Sequence, residues 1–254
     1  MFNTIVIKVG SSSLTDPQGK LDHQNLERIV SEIASLIKEK KRVVLVTSGA
    51  IVCGAETLKL GKPKSIPEKQ AAAAVGQSRL MRQYDKAFEK SGIITAQVLL
   101  TRDAIINKER HLNAKHTFDT LLKEKAVPIV NENDAVAVEE IKIGDNDNLA
   151  ALTASLIKAD LLILLTDVDG FYLKDEQGKS YLVPEINKID QKVEKAAGSP
   201  TTQHGTGGMK TKIEAAKVCK KAGITMAIIN GRKDGEMERL IAGKQAGTIF
   251  FPKA

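Results

Sequence analysis

Six short runs rich in β-branched residues, separated by stretches with helical spacing, confine this chain to one broad architecture. The runs are TIVIKVG (4–10), RVVLVTSG (42–49), ITAQVLL (94–100), VPIVNEND (127–134), LLILLTDVDG (161–170) and ITMAIING (224–231). VVLV and LLILL are continuously apolar rather than alternating, as in strands buried on both faces. Between the first two runs, Leu26, Ile29, Val30, Ile33, Leu36 and Ile37 follow the i, i+3, i+4, i+7 spacing of an amphipathic helix. Further helices are predicted over 67–90 and about 103–125, 147–158 and 208–222. Apolar strands alternating with helices read as βαβ units around a mostly parallel sheet covered on both faces.

Three stretches depart from that rhythm. AVAVEEIKIG (135–144) alternates with period two and predicts a hairpin beside the sheet. Residues 174–203 are polar and lack periodicity, and read as a surface excursion or lid; their role is left open. TIFFPKA ends the chain with a last short strand. With no Pro/Gly/Ser-rich linker and no internal repeat, residues 1–254 read as a single α/β domain.

Composition narrows the function classes. At 42% hydrophobic and 27% charged residues, the chain has an ordinary soluble globular composition. Its longest apolar runs fall far short of the roughly 20 residues that cross a bilayer. The start of the sequence has no signal-peptide pattern. A cytoplasmic protein without membrane attachment is expected. Cys53 and Cys219 are too far apart for metal-ligand spacing and read as small buried hydrophobes. A net charge of +7 suits an anionic ligand, a nucleotide or a nucleic acid. No Trp and 4% aromatic residues leave little for a base-stacking platform, and the lysines are scattered along helices, so no nucleic-acid partner is expected.

The chemistry gathers where the strands end. In parallel α/β sheets ligands bind at the carboxyl ends of strands, and here those ends read KVGSSS, TSGA, NEND, TDVDG and NGRKDG. A single strand-end Ser or Asn is ordinarily a turn or cap; five polar ends in one chain point to a shared crevice. Lys8, flanked by Val6, Ile7 and Val9, is costly unless paired or liganded; alternatively it snorkels from an edge strand. GTGGMKTK (205–212) fits neither the P-loop nor the dinucleotide fingerprint. Its glycines nonetheless open a helix with Lys210 and Lys212 in the first turn, where an anion would offset the unfavourable helix dipole. Solvent would serve the same end for either lysine alone. In IGDNDNLAA (143–151), Asp145, Asn146, Asp147 and Asn148 exceed what one N-cap requires. With Asn131, Glu132, Asn133 and Asp134 of NEND, they supply carboxylates and amides beside a lysine-lined phosphate site. That mixture suits a zwitterionic substrate.

KVGSS, VTSGA, NEND, GDNDNLAA, LLTDVDGFY and GTGGMKTK, in this order, resemble the glutamate 5-kinase family of the amino acid kinase superfamily over about residues 3–252. The resemblance implies a three-layer αβα open sandwich with a central, mainly parallel sheet of about eight strands. It implies ATP and Mg²⁺ as cofactors, and phosphorylation of the γ-carboxylate of L-glutamate to L-glutamyl 5-phosphate, the first step of proline biosynthesis. By position, Lys8 and Lys212 would touch the transferring phosphoryl group and Asp147 would hold both lysines. Ser48, Asp134 and Asn146 would bind glutamate, with Gly49, Asn131 and Asp145 close by. Thr166, Asp167, Thr206, Gly207, Gly208, Met209, Lys210, Thr211 and Lys212, together with Lys8, would bind the nucleotide. No metal ligands are assigned, Mg²⁺ being held by ATP phosphates and water. Feedback inhibition by proline, a homo-oligomer and a downstream glutamyl phosphate reductase are further expectations. The sequence ends before the C-terminal PUA domain that many members carry, and Ile143 stands where Phe is common.

The resemblance is chemically coherent. A glutamate side chain, with an unperturbed pKa near 4.3, is already ionised at neutral pH, so no general base is required. This agrees with motifs that contain no His or Cys; His23, His111, His116 and His204 read as peripheral. N-acetylglutamate has no ammonium for the acidic strings to attract, and UMP would want a second cationic pocket. A silent nucleotide-binding subunit would have no chemical use for Lys8, Asp147 and Lys212 together.

Overall fold

The computed structural model describes residues 2–101, 107–136, 146–198 and 208–252. β1 (Thr4–Val9) leads through a single turn, α1 (Ser11–Leu14), to α2 (His23–Lys38). Then come β2 (Arg42–Val46), α3 (Ala50–Leu58), α4 (Ile66–Glu89), β3 (Thr95–Leu100), α5 (Lys108–Lys123), β4 (Val127–Glu132) and α6 (Asn146–Leu156). The remainder carries β5 (Leu161–Thr166), β6 (Tyr172–Lys174), β7 (Ser180–Leu182), β8 (Glu185–Ile186), α7 (Gln191–Ala197), α8 (Met209–Ala222), β9 (Thr225–Asn230), α9 (Glu236–Ile241) and β10 (Thr248–Phe250).

Eight strands form one sheet in the order β3-β4-β2-β1-β5-β9-β10-β8. All neighbours run parallel except the β9–β10 pair. The expected αβα sandwich follows from the alternation of side chains along the central strands. Ile5, Ile7 and Val9 of β1 face one core with α2 and α4, which contribute Ile29, Ile33, Tyr84 and Phe88. Val6 faces the other, with Leu149, Ala150 and Ala154 of α6 and Ile213 and Ala216 of α8. Lys8 shares the parity of Val6 and therefore points toward α6 and α8. β1 is paired on both sides, with Lys8 opposite Val46 and Leu164. An edge-strand lysine snorkelling to water is thus excluded.

The structure departs from the sequence reading in places. The irregular excursion over 174–203, of which 199–203 lie outside the described residues, contains structure: β7 pairs antiparallel with β6, which ends at Lys174, β8 joins the edge of the main sheet, and α7 follows; the short α9 is likewise absent from the reading. Strands of two and three residues are too short to show a period. α3 was not anticipated either, because AIVCGAETL is short, apolar and interrupted by Gly54. The expected hairpin largely falls outside the described residues; of 135–144 only Ala135 and Val136 are placed, in a turn. Cys53 and Cys219 are free and buried, as expected, and burial pushes their thiols up to about 11 and about 12.

α3 and α4 pack with their backbones nearly touching. A Cβ on Gly76 would lie 1.8 Å from the Ala50 carbonyl oxygen, and one on Gly54 would lie 1.7 Å from that of Ala72. This contact sets where α3 begins, directly after the strand end that carries Ser48 and Gly49. Gly49 itself has φ +103°, a conformation that side chains disfavour, so the turn into α3 depends on glycine. Gly76→Ala is expected to cost about 3 kcal/mol or more, since neither backbone can give way locally. Gly208→Ala, with no atom of the other described residues within 4 Å of the added carbon apart from its chain neighbours, should cost under about 1 kcal/mol. Urea denaturation of the two variants checks the contrast.

Candidate active site

The parallel strands bring their carboxyl ends to one side of the sheet, where β1, β2, β4 and β5 deliver Lys8, Thr47–Ser48, Asn131–Glu132 and Thr166. Two helices complete the site. Asp147 lies in the first turn of α6, where the helix dipole favours a carboxylate. On α8 the buried positions are Lys212, Ile213, Ala215, Ala216 and Cys219, so Lys212 belongs to the inward stripe. Lys210 lies off that stripe and is exposed.

These elements converge on a buried ion triad. Lys8 Nζ is 2.6 Å from Asp147 Oδ1, and Lys212 Nζ is 3.0 Å from Asp147 Oδ2. Thr211 Oγ1 also donates to Oδ2 at 2.8 Å. Asp147 is 1% exposed and each lysine 7%. Burial by itself would raise the Asp147 carboxyl; the Lys8 and Lys212 ammonium groups overcome it and hold the group well below the ordinary aspartate range. The triad thus sets two ammonium groups against one carboxylate.

A ladder of amides stands beside the triad. Asn146 Nδ2 donates to the Thr47 carbonyl at 2.6 Å, to Ser48 Oγ at 3.1 Å and to Asn131 Oδ1 at 3.0 Å. Asn131 Nδ2 donates in turn to Gln77 Oε1 at 2.9 Å. Thr47 Oγ1 is 2.8 Å from the fully buried Tyr84 hydroxyl. Asp134 lies further along, in a cavity of about 210 Å³ also lined by Ala50, Gln77, Gln97, Glu132 and Asn133. That is below the range of about 300–1,000 Å³ typical of drug-sized ligands and fits a small metabolite.

At the other end of the site, Thr166 is buried and its hydroxyl donates to Asp167 Oδ1 at 3.1 Å, while Asp167 is exposed. Asp169 bonds Asn230 Nδ2 at 2.8 Å and pairs with Lys233 at 2.7 Å, tying this loop to the one after β9. Gly208 caps α8 and Met209 is its first residue. Asp145, Thr206 and Gly207 lie outside the described residues. Among the described residues, no group of three His, Cys, Asp or Glu side chains could hold a metal ion, and no helix is long and apolar enough to cross a membrane.

The structure therefore joins Lys8, Asp147 and Lys212 directly, and links Asn146, Ser48 and Asn131 by hydrogen bonds. Gln77, Thr47 and Tyr84 were missed. In AAVGQSRLMRQY (73–84) Gln77 occupies the apolar stripe of α4 with Ala73, Leu80 and Tyr84, where a lone polar side chain reads as an irregularity.

Asp147→Asn would strand two buried ammonium groups, and is expected to destabilise the protein by about 3–5 kcal/mol at pH 7. Because the folded-state carboxyl is depressed, its contribution is complete well above the unfolded value of about 3.9. It is lost as pH falls through that value toward the folded one. Urea midpoints of the two proteins should thus draw together below about pH 5.

The model of the amino acid kinase family matches residues 3–230. A glutamate 5-kinase of Caldanaerobacter subterraneus subsp. tengcongensis is 49% identical over 251 residues, covering 98% of this chain and 68% of that protein. One of Clostridium acetobutylicum is 48% identical, covering 99% of this chain and 95% of that protein. Among solved structures, a UMP kinase from Bacillus anthracis aligns with a TM-score of 0.67 at 16% identity, covering 100% of this chain and 97% of that one. At that identity the likeness concerns the fold alone. The lysine–aspartate–lysine triad at the strand ends is thus set in a chain that belongs to the amino acid kinase family, in its glutamate 5-kinase branch.

Proposed function

We propose that this protein transfers the γ-phosphoryl group of MgATP to the γ-carboxylate of L-glutamate, giving ADP and L-glutamyl 5-phosphate for proline biosynthesis. The observation that carries this reading is the buried Lys8–Asp147–Lys212 triad. The acceptor carboxylate is ionised at neutral pH, so the protein's task is to hold it in line with the phosphoryl group and offset charge on the oxygens. Lys8 and Lys212 supply that charge, and Asp147 fixes where their ammonium groups sit. In this reading Mg²⁺ arrives as part of the nucleotide substrate.

Thr166, Asp167 and the 206–212 loop take the nucleotide side. Ser48, Gly49, Asn131, Asp134, Asp145 and Asn146 take glutamate, whose ammonium is drawn to the carboxylates around the cavity. A cytoplasmic homo-oligomer, proline as feedback inhibitor and a reductase that consumes the labile acyl phosphate complete the proposal.

The test is ATP-dependent acyl phosphate formation, trapped with hydroxylamine, from L-glutamate, N-acetyl-L-glutamate and L-aspartate. Hydroxamate selectively from L-glutamate is the expected result. Reaction of another acceptor in its place would overturn the substrate assignment and leave the triad's role intact. Lys212→Ala should lower kcat about 100- to 1,000-fold, the scale of losing one electrostatic stabiliser. A folded variant with near-normal kcat would remove Lys212 from the chemistry.

A further inference from the structure

The amide ladder ends in a donor that the described residues leave unused. Asn131 Oδ1 accepts from the Glu132 backbone N–H at 2.9 Å and from Asn146 Nδ2 at 3.0 Å. Both contacts require oxygen at that position, so Asn131 presents its NH₂ group to Gln77. Gln77 must then answer with Oε1, which leaves its Nε2 as the outward end of the ladder. Gln77 is 9% exposed and lines the 210 Å³ cavity, yet Nε2 has no hydrogen-bond partner among the described residues. A buried donor without an acceptor is costly, and a flip of the Gln77 amide would set two NH₂ groups against each other. The site therefore retains a donor whose polarity three neighbouring groups enforce.

We propose that Gln77 selects the acceptor, with Nε2 donating to an oxygen of the α-carboxylate of L-glutamate bound in this cavity. The inference rests on the glutamate reading above. An NH₂ group only donates, so it cannot serve the substrate ammonium, which suits Glu132 and Asp134 in the same lining. The γ-carboxylate must lie toward Lys8 and Lys212 to receive the phosphoryl group. The α-carboxylate is the acceptor that remains. Gln77 then binds substrate at one end of the ladder, while Asn146 at the other end adjoins Asp147 in sequence.

The discriminating variant is Gln77→Glu, assayed at pH 8 with L-glutamate and with its α-amide. It preserves side-chain size and an oxygen for Asn131 Nδ2, and replaces the free donor by a charged acceptor. The α-amide carries an NH₂ group that Glu can accept from and a carbonyl that Gln can donate to. The ratio of kcat/KM for L-glutamate over its α-amide is expected to shift about 10- to 100-fold toward the amide, the scale of a hydrogen bond to a charged group. General damage to the ladder would lower both values together and leave the ratio unchanged, a result that overturns the proposal. Should Gln77→Glu fail to fold, Gln77→Met decides. It should raise KM for L-glutamate about tenfold or more while KM for ATP stays within about twofold; equal changes in both would again overturn it. If the unsubstituted protein makes no hydroxamate from L-glutamate, the acceptor reading itself fails. If it does and the variants do not discriminate, only the assignment of Gln77 fails.

Discussion

The site depends on one carboxylate held between two ammonium groups out of water. Any of the three charges alone in that place would be expensive to bury, and together they are tolerable only because the distances are short and the geometry fixed. That requirement reaches through the fold. Lys8 must come from an interior strand with the parity of the α6–α8 face, Asp147 from a helix N-terminus, and Lys212 from the inward stripe of a second helix. β1 lies between β2 and β5 with every residue buried, so the Lys8 backbone has no freedom to drift. Thr211, from the same turn as Lys212, also donates to Asp147 and ties the start of α8 to the triad. The outcome is a pair of ammonium groups whose location is set by a sheet and two helices rather than by a loop.

Part of this was written openly in the sequence. A lysine inside IVIKVG is a local anomaly, and a local anomaly can be read without knowing the fold. The same holds for polar residues closing successive apolar runs, because a parallel sheet sends all such ends to one side. Other parts had no local trace. That β5 pairs with β1 on the side away from β2 joins strands at residues 4–9 and 161–166, and no single stretch encodes it. α3 is a helix because its small residues fit against α4 at backbone distance, a tertiary fact about Gly54 and Gly76 rather than a periodicity. β6, β7 and β8 are held by their partners, being too short to announce themselves.

The amide ladder was the least legible part, for a related reason. Asn131 and Asn146 were visible as candidates, but an amide offers a donor and an acceptor at either end of the same shape, and sequence cannot orient it. Orientation comes from neighbours: the Glu132 N–H and the Thr47 carbonyl, both backbone groups fixed by the sheet, decide which way each side chain turns. Gln77 was hidden further, since a polar residue on the apolar stripe of a helix passes as an irregularity until its partner across the site is known.

Triad and ladder meet at the peptide between Asn146 and Asp147, and this junction separates two tasks. The triad is suited to the phosphoryl group, which many acceptors would share, and the likeness in fold to a UMP kinase at 16% identity shows that this architecture by itself does not choose an acceptor. Choice must come from groups that meet the part of the substrate that does not react. Those groups lie on α4 and on the ends of β2 and β4, at the far end of the ladder, where uncharged amides outnumber cations. A carboxylate bound there by oriented amides does not compete with the lysines for the γ-carboxylate, whereas a third lysine would attract either end of glutamate equally. An amide donor of enforced polarity recognises one carboxylate while leaving the stronger positive charge to the one that must react.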